Sequence, residues 1–364
     1  MLVINYGEDV QKITEEALGA SDILEYLKPS FSVAIKPNLV VSRPASEGAT
    51  THAEVVEGIL RFLLGVGVDS SRISIIESAW VGDDTKRAFA VCGYERLQKK
   101  YGVRLYDLKD DACVKLEYKG VGMEVCGRAL ETDFLINVPV LKAHCQTRLT
   151  CNMKNLKGCI PDREKRRFHT LGLHKPIAAL NALLKTGYCV VDGVCGDLTF
   201  EEGGNPTYAN RVIVGRDPVM IDSYCAELIG YAPEDIEYLS FAKKWGLGEF
   251  FAKETQIREL NTENKPINTV AASRTAARYE KYIDENSACS ACYAALIHAL
   301  HRMGGHVGKN EKFYIGQGFR KNGDSSQKSG IGVGSCAKGF QKNIPGCPPK
   351  AVDIVRALSH PRNR

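Results

Sequence analysis

A chain of 364 residues is long enough for a large core and more than one domain. Its charged fraction of 25% and hydrophobic fraction of 44% are ordinary for a soluble globular protein, and a net charge of +5 is too mild to imply nucleic-acid or membrane binding. The opening MLVINYGEDVQKITEEAL has no basic segment leading into an apolar one, and stretches such as ILRFLLGVGV are too short to span a bilayer, so a cytoplasmic location is expected.

In chain order, SVAIK (32–36) reads as a buried strand and AEVVEGILRFLLGVG (53–67) as an amphipathic helix. RISIIE (72–77) is the next strand, followed by a helical stretch over Thr85–Lys100 and a strand at 103–108. Residues 115–126 suggest a hairpin turning at Lys119-Gly120. FLINVPVLK (134–142) predicts a longer apolar strand, YCVVD (188–192) a short one and RVIVG (211–215) another. Asp217-Pro218 has the form of a helix start, with Asp as N-cap and Pro in the first turn. The alternation predicts an α/β fold built on a mostly parallel sheet. Around Leu260–Ala277 the pattern loosens, which places a junction between an α/β domain (1–265) and a smaller C-terminal α/β module (266–364). Within that module, helices are expected at Ala294–Met303 and Ala351–Leu358 and strands at 312–316 and 331–333, with a mobile connection over 316–330. No internal repeat or low-complexity run appears.

The module carries Cys289 and Cys292 as C-x-x-C, then Cys336, then Cys347 followed by Pro348. Four such thiolates suit tetrahedral zinc or a 4Fe–4S cluster. The Cys-Pro junction favours the cluster, because a ligating cysteine before proline is a ferredoxin habit, whereas zinc ribbons use a second C-x-x-C that this chain lacks. Thirteen cysteines, an odd number, point to a reducing compartment rather than to complete disulfide pairing.

Ligands of open parallel sheets bind outside the carboxyl ends of the strands. Lys36, Asn38, Glu77, Lys142 and Asp192 fall at such ends, and Thr51 and His52 at a helix N-terminus able to hold an anion. Taken singly, Thr51 and Asp217 are ordinary caps, Asp192-Gly193 a turn and Glu77 a solvated strand end; as a group they suggest a substrate rim. The dense polar stretch 142–176 adds His144, Lys154, Asn155 and Lys157. Lys142, His144 and Lys154 are the catalytic candidates, with His144 as proton carrier or metal ligand. Lys36, Asn38, Thr51, His52, Asn155, Lys157 and Asp192 are the substrate-binding candidates, suited to a carboxylate or phosphate. Arg163–Arg167 reads as a solvated basic surface. Cys145, Cys151, Cys159 and Cys195 match no compact ligand pattern. The chain has no P-loop, G-x-S-x-G or H-E-x-x-H motif.

VAIKPNLV (33–40), THAEVVEGILRFLLGVG (51–67), VLKAHCQTRLTCNMKNLKG (140–158) and VIVGRDPVMIDSYCAELIGYAPEDIEYLSFAKKWGLG (212–248) resemble the domain of unknown function 362 family. That resemblance implies an α/β domain, an added ferredoxin-type module in many members, and a place in anaerobic redox metabolism. The chain departs from the family pattern in lacking a compact C-x-x-C-x-x-C-x-x-x-C-P run. GCPPKAVDIVRAL (346–358) is instead similar to the terminal cysteine segment of small cluster-bearing subunits in hydrogenases and respiratory complexes. The N-terminal domain bears a weaker resemblance to the lactate racemase family, in which a nickel cofactor sits between domains; no nickel ligand is carried onto this chain.

Three functions are therefore expected as alternatives. The first is an iron–sulfur protein passing electrons to an anionic small molecule or a redox partner protein. The second is a non-redox acid–base or metal-dependent isomerase or racemase on a hydroxy acid. The third is a cluster or cofactor maturation protein.

Overall fold

The computed structural model describes residues 1–266, 272, 275–304, 311–320 and 329–359. The chain divides into two compact units, Met1–Lys165 with His174–Ala272, and Arg166–Leu173 with Ser273–Arg364.

The larger unit opens with β1 (Leu2–Tyr6), α1 (Val10–Gly19), β2 (Val33–Pro37), α2 (Ala53–Gly65) and β3 (Ile73–Glu77). Next come α3 (Thr85–Val91), α4 (Tyr94–Tyr101), β4 (Arg104–Asp107), the hairpin β5 (Cys113–Tyr118) and β6 (Val121–Cys126), α5 (Gly127–Glu131) and β7 (Phe134–Val138). A second small hairpin, β8 (Lys142–His144) and β9 (Arg148–Thr150), leads to α6 (Asn152–Asn155) and α7 (Asp162–Thr170), whose residues from Arg166 on belong to the smaller unit. The unit continues with α8 (His174–Leu183), β10 (Tyr188–Asp197), β11 (Pro206–Gly215), α9 (Pro218–Leu228), α10 (Glu237–Lys244) and β12 (Ile257–Leu260).

Eight strands form one sheet in the order β12-β1-β11-β10-β7-β2-β3-β4. β10, β7, β2, β3 and β4 run parallel to one another, while β11 is antiparallel to both β1 and β10. The fold is thus mixed α/β around a large, mostly parallel sheet. Every residue of β2, β7 and β10 is buried, as strands covered on both faces must be, and this is why they read as largely apolar rather than alternating segments. α2 lays Val55, Val56, Ile59, Leu60 and Leu63 into the core that also holds Ile35, Ile75 and Ile136.

Local chemistry sets the boundaries. Asp217 caps α9 by accepting from the Val219 and Met220 N–H groups. Lys119 and Gly120 both take positive φ, 51° and 75°, the paired left-handed turn that closes a two-residue hairpin. The helix expected over Thr85–Lys100 is two helices, broken where Gly93 adopts φ 82°. β10 and β11 run well beyond the expected 188–192 and 211–215, with a bulge between Gly193 and Cys195.

The smaller unit has four short parallel strands in sequence order, β13 (Ile283–Glu285), β14 (Phe313–Ile315), β15 (Ile331–Val333) and β16 (Lys342–Ile344). Helices α11 (Ser290–Arg302) and α12 (Ala351–Ser359) pack on each other. Tyr314, Phe319, Ala337 and Phe340 make a small core, with the Tyr314 and Phe340 rings stacked at 4.4 Å. Most of the 316–330 connection lies outside the described residues; its Gln317–Arg320 part is a short 3-10 turn. Among the described residues no helix is long and apolar enough to cross a membrane.

Candidate functional site

Three polar groups collect in the larger unit around the ends of its central strands. The first is centred on Lys36, which is fully buried. Its ammonium ion-pairs with Glu77 at the end of the neighbouring strand β3 and donates to Pro37 O at 2.8 Å and Asn155 Oδ1 at 3.3 Å. The Asn155 amide donates to Lys36 O and to Asn137 Oδ1, and Asn137 in turn donates to Asn152 O. Glu77 is therefore not a solvated strand end: a buried lysine must find an anion, and Glu77 is that anion. Nor is the whole of Arg163–Arg167 a solvated surface. Lys165 is buried, with Nζ donating to Ser78 O, Ala79 O and the Ser78 hydroxyl, and paired with Asp162. Arg163, on the exposed side, pairs with Glu124.

The second group joins Asn38, Thr51, His52 and Asp192. The Thr51 hydroxyl accepts from the Asn38 N–H and donates to Val138 O. His52 is the N-cap of α2, and both its backbone N–H and its Nδ1 meet Asp192 Oδ2, at 2.7 and 2.8 Å. The anion at this helix N-terminus is thus Asp192 itself, a carboxylate from β10. Burial alone lowers the His52 pKa, but the Asp192 charge and hydrogen bond outweigh it, so the net shift is upward.

The third group contains the catalytic candidates. Lys142 is 1% exposed. Its Nζ donates to Ala49 O at 2.6 Å and Glu201 O at 2.9 Å. Burial, followed by repulsion from Lys154, brings Lys142 down to about 7. A neutral amine has two N–H donors, and two carbonyls satisfy them while leaving the lone pair uncommitted. Lys154, half-buried, bonds to Thr150 Oγ1, and loss of water around its ammonium brings it down to about 8 against the pull of Glu201. Burial and the neighbouring Glu201 push Glu202 up to about 7.

His144 Nδ1 accepts the Gln146 and Thr147 backbone N–H groups, which leaves the ring proton on Nε2, 3.4 Å from Glu201 Oε1. The Cys145 thiol donates to the same oxygen at 3.0 Å. His144, Cys145 and Glu201 bring three donor atoms within 4.8 Å of one another, a group able to hold a metal ion. Binding one requires the Nε2 proton and the Cys145 thiol proton to leave. Burial pushes that thiol well up, so Cys145 stands as a neutral donor to Glu201.

Lys157 is half-buried in the short Leu156–Cys159 turn, so it and Lys154 do not share one α-helical face. Cys145, Cys151, Cys159 and Cys195 keep different company: Glu201, Cys225 with Asp222, Lys36 with Glu77, and Ser46 O. Asp222, singled out by nothing in the sequence, is raised to about 6 by burial and accepts the Asn152 and Met153 N–H groups. Glu201 was equally unmarked; its FEEGG setting has the composition of a turn.

In the smaller unit, Cys289 is the N-cap residue of α11 and Cys292 lies in its first turn. Cys336 sits in a 3-10 turn after β15, and Cys347 follows Gly346 beyond β16. Ser335 N and Oγ both donate to Gly346 O, and Asn343 Nδ2 donates to the carbonyls of Gly332, Gly334 and Ala337, fixing the two loops together. Burial pushes the Cys292 thiol up, and Cys289, Cys347 and Cys336 push it further, with Arg320 opposing. Arg320 Nε donates to Cys336 Sγ at 3.1 Å. Four thiols from three segments thus share one electrostatic neighbourhood. Tetrahedral zinc would bring its sulfurs within about 4 Å of one another, and among the described residues the donors gathered that closely are His144, Cys145 and Glu201 rather than these thiols; four cysteine thiols are the donor type an iron–sulfur cluster uses.

Among known proteins, the family model described as "Domain of unknown function (DUF362)" matches residues 33–227. The "Thylakoid-associated protein sll1697" of Synechocystis sp. is 22% identical over 255 residues, 66% of this chain and 77% of the relative. The lactate racemase apoprotein structure from Thermoanaerobacterium thermosaccharolyticum aligns with a TM-score of 0.40 at 13% identity, over 62% of this chain. The match spans 57% of that racemase chain.

Proposed function

The chain belongs to the DUF362 family, whose description assigns no chemistry, and we propose that it is an iron–sulfur protein of electron transfer or oxidoreduction. In this reading the C-terminal module (266–364) holds a 4Fe–4S cluster on Cys289, Cys292, Cys336 and Cys347, and the domain over 1–265 binds an anionic small molecule or faces a redox partner protein in the cytoplasm. One observation carries it: the half-buried Cys292 thiol is pushed up by burial and then by the charge of Cys289 at the cap of its own helix and of Cys347 and Cys336 from two other segments. When bound, such a cluster supplies one-electron transfer.

The residues of the larger unit supply the rest. Lys154 and Lys142 present cationic or amine groups to a carboxylate or phosphate. Lys142 Nζ takes a proton on its free lone pair, and His144 holds one at Nε2 against Glu201. Anaerobic purification should give about four irons and four sulfides per chain with broad absorption near about 400 nm, and Cys347→Ser should lose that absorption. Colourless protein with stoichiometric zinc overturns the reading.

A second reading is a non-redox acid–base isomerase acting on a hydroxy acid. It is favoured by Lys142, a buried amine brought into the physiological range by its surroundings. Solvent deuterium entering a 2-hydroxy acid without any electron donor, and lost in Lys142→Met, selects it over the first.

A further inference from the structure

Cys113 and Cys126 are register partners across the β5–β6 hairpin. The Gly127 N–H donates to Ala112 O, one residue beyond the pair on each strand. That placement makes Cys113 and Cys126 a non-hydrogen-bonded cross-strand pair, in which the Cα atoms come to about 4.5 Å and the side chains face each other. Their sulfurs are 3.9 Å apart. Disulfides span Cα separations of about 4.4–6.8 Å, so the pair sits within reach of a bond at its short end. Both thiols are free, Cys113 half-buried and Cys126 buried. Neither belongs to the polar groups described above.

We infer that Cys113 and Cys126 form a reversible dithiol–disulfide couple, a modification site on the hairpin of the larger unit. The half-exposed Cys113 thiolate attacks a low-molecular-weight disulfide, forming a mixed disulfide and releasing one small thiol. Cys126 then displaces the second small thiol and closes the cross-strand bond. Two protein thiols are oxidised, one small disulfide is reduced to two thiols, and the protons of the protein thiols leave with them. The roles follow from access: burial pushes the Cys126 thiol up, so it is the resolving partner rather than the first to react.

A third thiol gives the couple a neighbour. Buried Cys159 is close enough to raise Cys126 further, and its own thiol feels the Lys36–Glu77 pair.

The test uses the full chain, reduced and then treated with oxidised glutathione under anaerobic conditions, alkylated, digested with trypsin and read by mass spectrometry. Trypsin separates the cysteines into peptides 110–115 and 120–128. The couple predicts that these two peptides become cross-linked, with loss of both alkylation adducts, and that dithiothreitol restores them. Cys126→Ser should instead trap a glutathione adduct on Cys113, while Cys113→Ser should leave Cys126 alkylated. Two separately alkylated peptides after oxidation, or a cross-link from Cys126 to Cys159, overturns the inference.

Discussion

Lys36 and Glu77 form an ion pair between adjacent parallel strands, with side chains only 1% and 4% exposed. Gly158 backs directly onto it: a Cβ at that position would run into Glu77 Oε1 and Lys36 Nζ. Removing one partner of a buried pair strands the other charge, so Lys36→Met should cost about 3–5 kcal/mol in urea unfolding. Combining it with Glu77→Leu should recover much of that loss, because two apolar side chains leave no charge uncompensated. A single variant within about 1 kcal/mol of wild type is inconsistent with a paired, dry interior here. Gly158→Ala, which adds only one carbon, should destabilise by about 1–3 kcal/mol through overpacking.

The His52–Asp192 contact predicts a pH-dependent contribution of definite sign. The folded pKa of His52 lies above its ordinary value, so the folded state holds a proton that the unfolded chain releases. That stability is fully present below about pH 6.5 and is lost as pH rises through the higher folded value. Asp192→Asn should remove this pH dependence and bring the imidazole titration down, as followed by histidine ring NMR. An unchanged His52 titration in that variant refutes the assignment.

Lys142 behaves in the opposite sense. Its folded value of about 7 lies below that of an unfolded lysine. Between about pH 7 and 10.4 the unfolded chain therefore binds the extra proton, and stability rises with pH by up to about 1.4 kcal/mol per unit. Lys142→Met should flatten the profile in that window. A slope identical to wild type places the amine in contact with water.

Much of the sheet was legible because its strands are short, mostly apolar runs buried on both faces, and 32–36 and 72–77 needed no distant information; the run expected over 134–142 ends as a strand at Val138, and Lys142 opens a separate hairpin. The ends of elements were less so. The break at Gly93 is a single left-handed residue inside an otherwise helical pattern, and the extension of β10 past Asp192 passes through Gly193 and Cys195, where composition suggests a turn. The charged residues were legible as a group but not in their pairings. Lys36 meets Glu77 41 residues away, Asn155 meets Lys36 across 119, and Lys165 finds Ser78 across 87. No local periodicity encodes such partners. Glu201 illustrates the difficulty: its carboxylate gathers His144 and Cys145 from a loop that reads as solvent-facing.

Arg320 offers a test of the cysteine cluster that leaves its four thiols untouched. Its guanidinium donates to Cys336 Sγ, and that hydrogen bond pushes the Arg320 pKa up. Donors to a ligating sulfur and positive charge near a cluster both favour the reduced, more negative state. Arg320→Met should therefore keep iron and sulfide near about four per chain while moving the midpoint potential to more negative values. Arg320→Lys, which retains the charge but not the planar donor, should fall between the two. The measurement is an anaerobic redox titration followed by electron paramagnetic resonance. A potential that moves upward, or does not move, means that the guanidinium does not address a ligating sulfur, and Cys336 would then have to be removed from the ligand set.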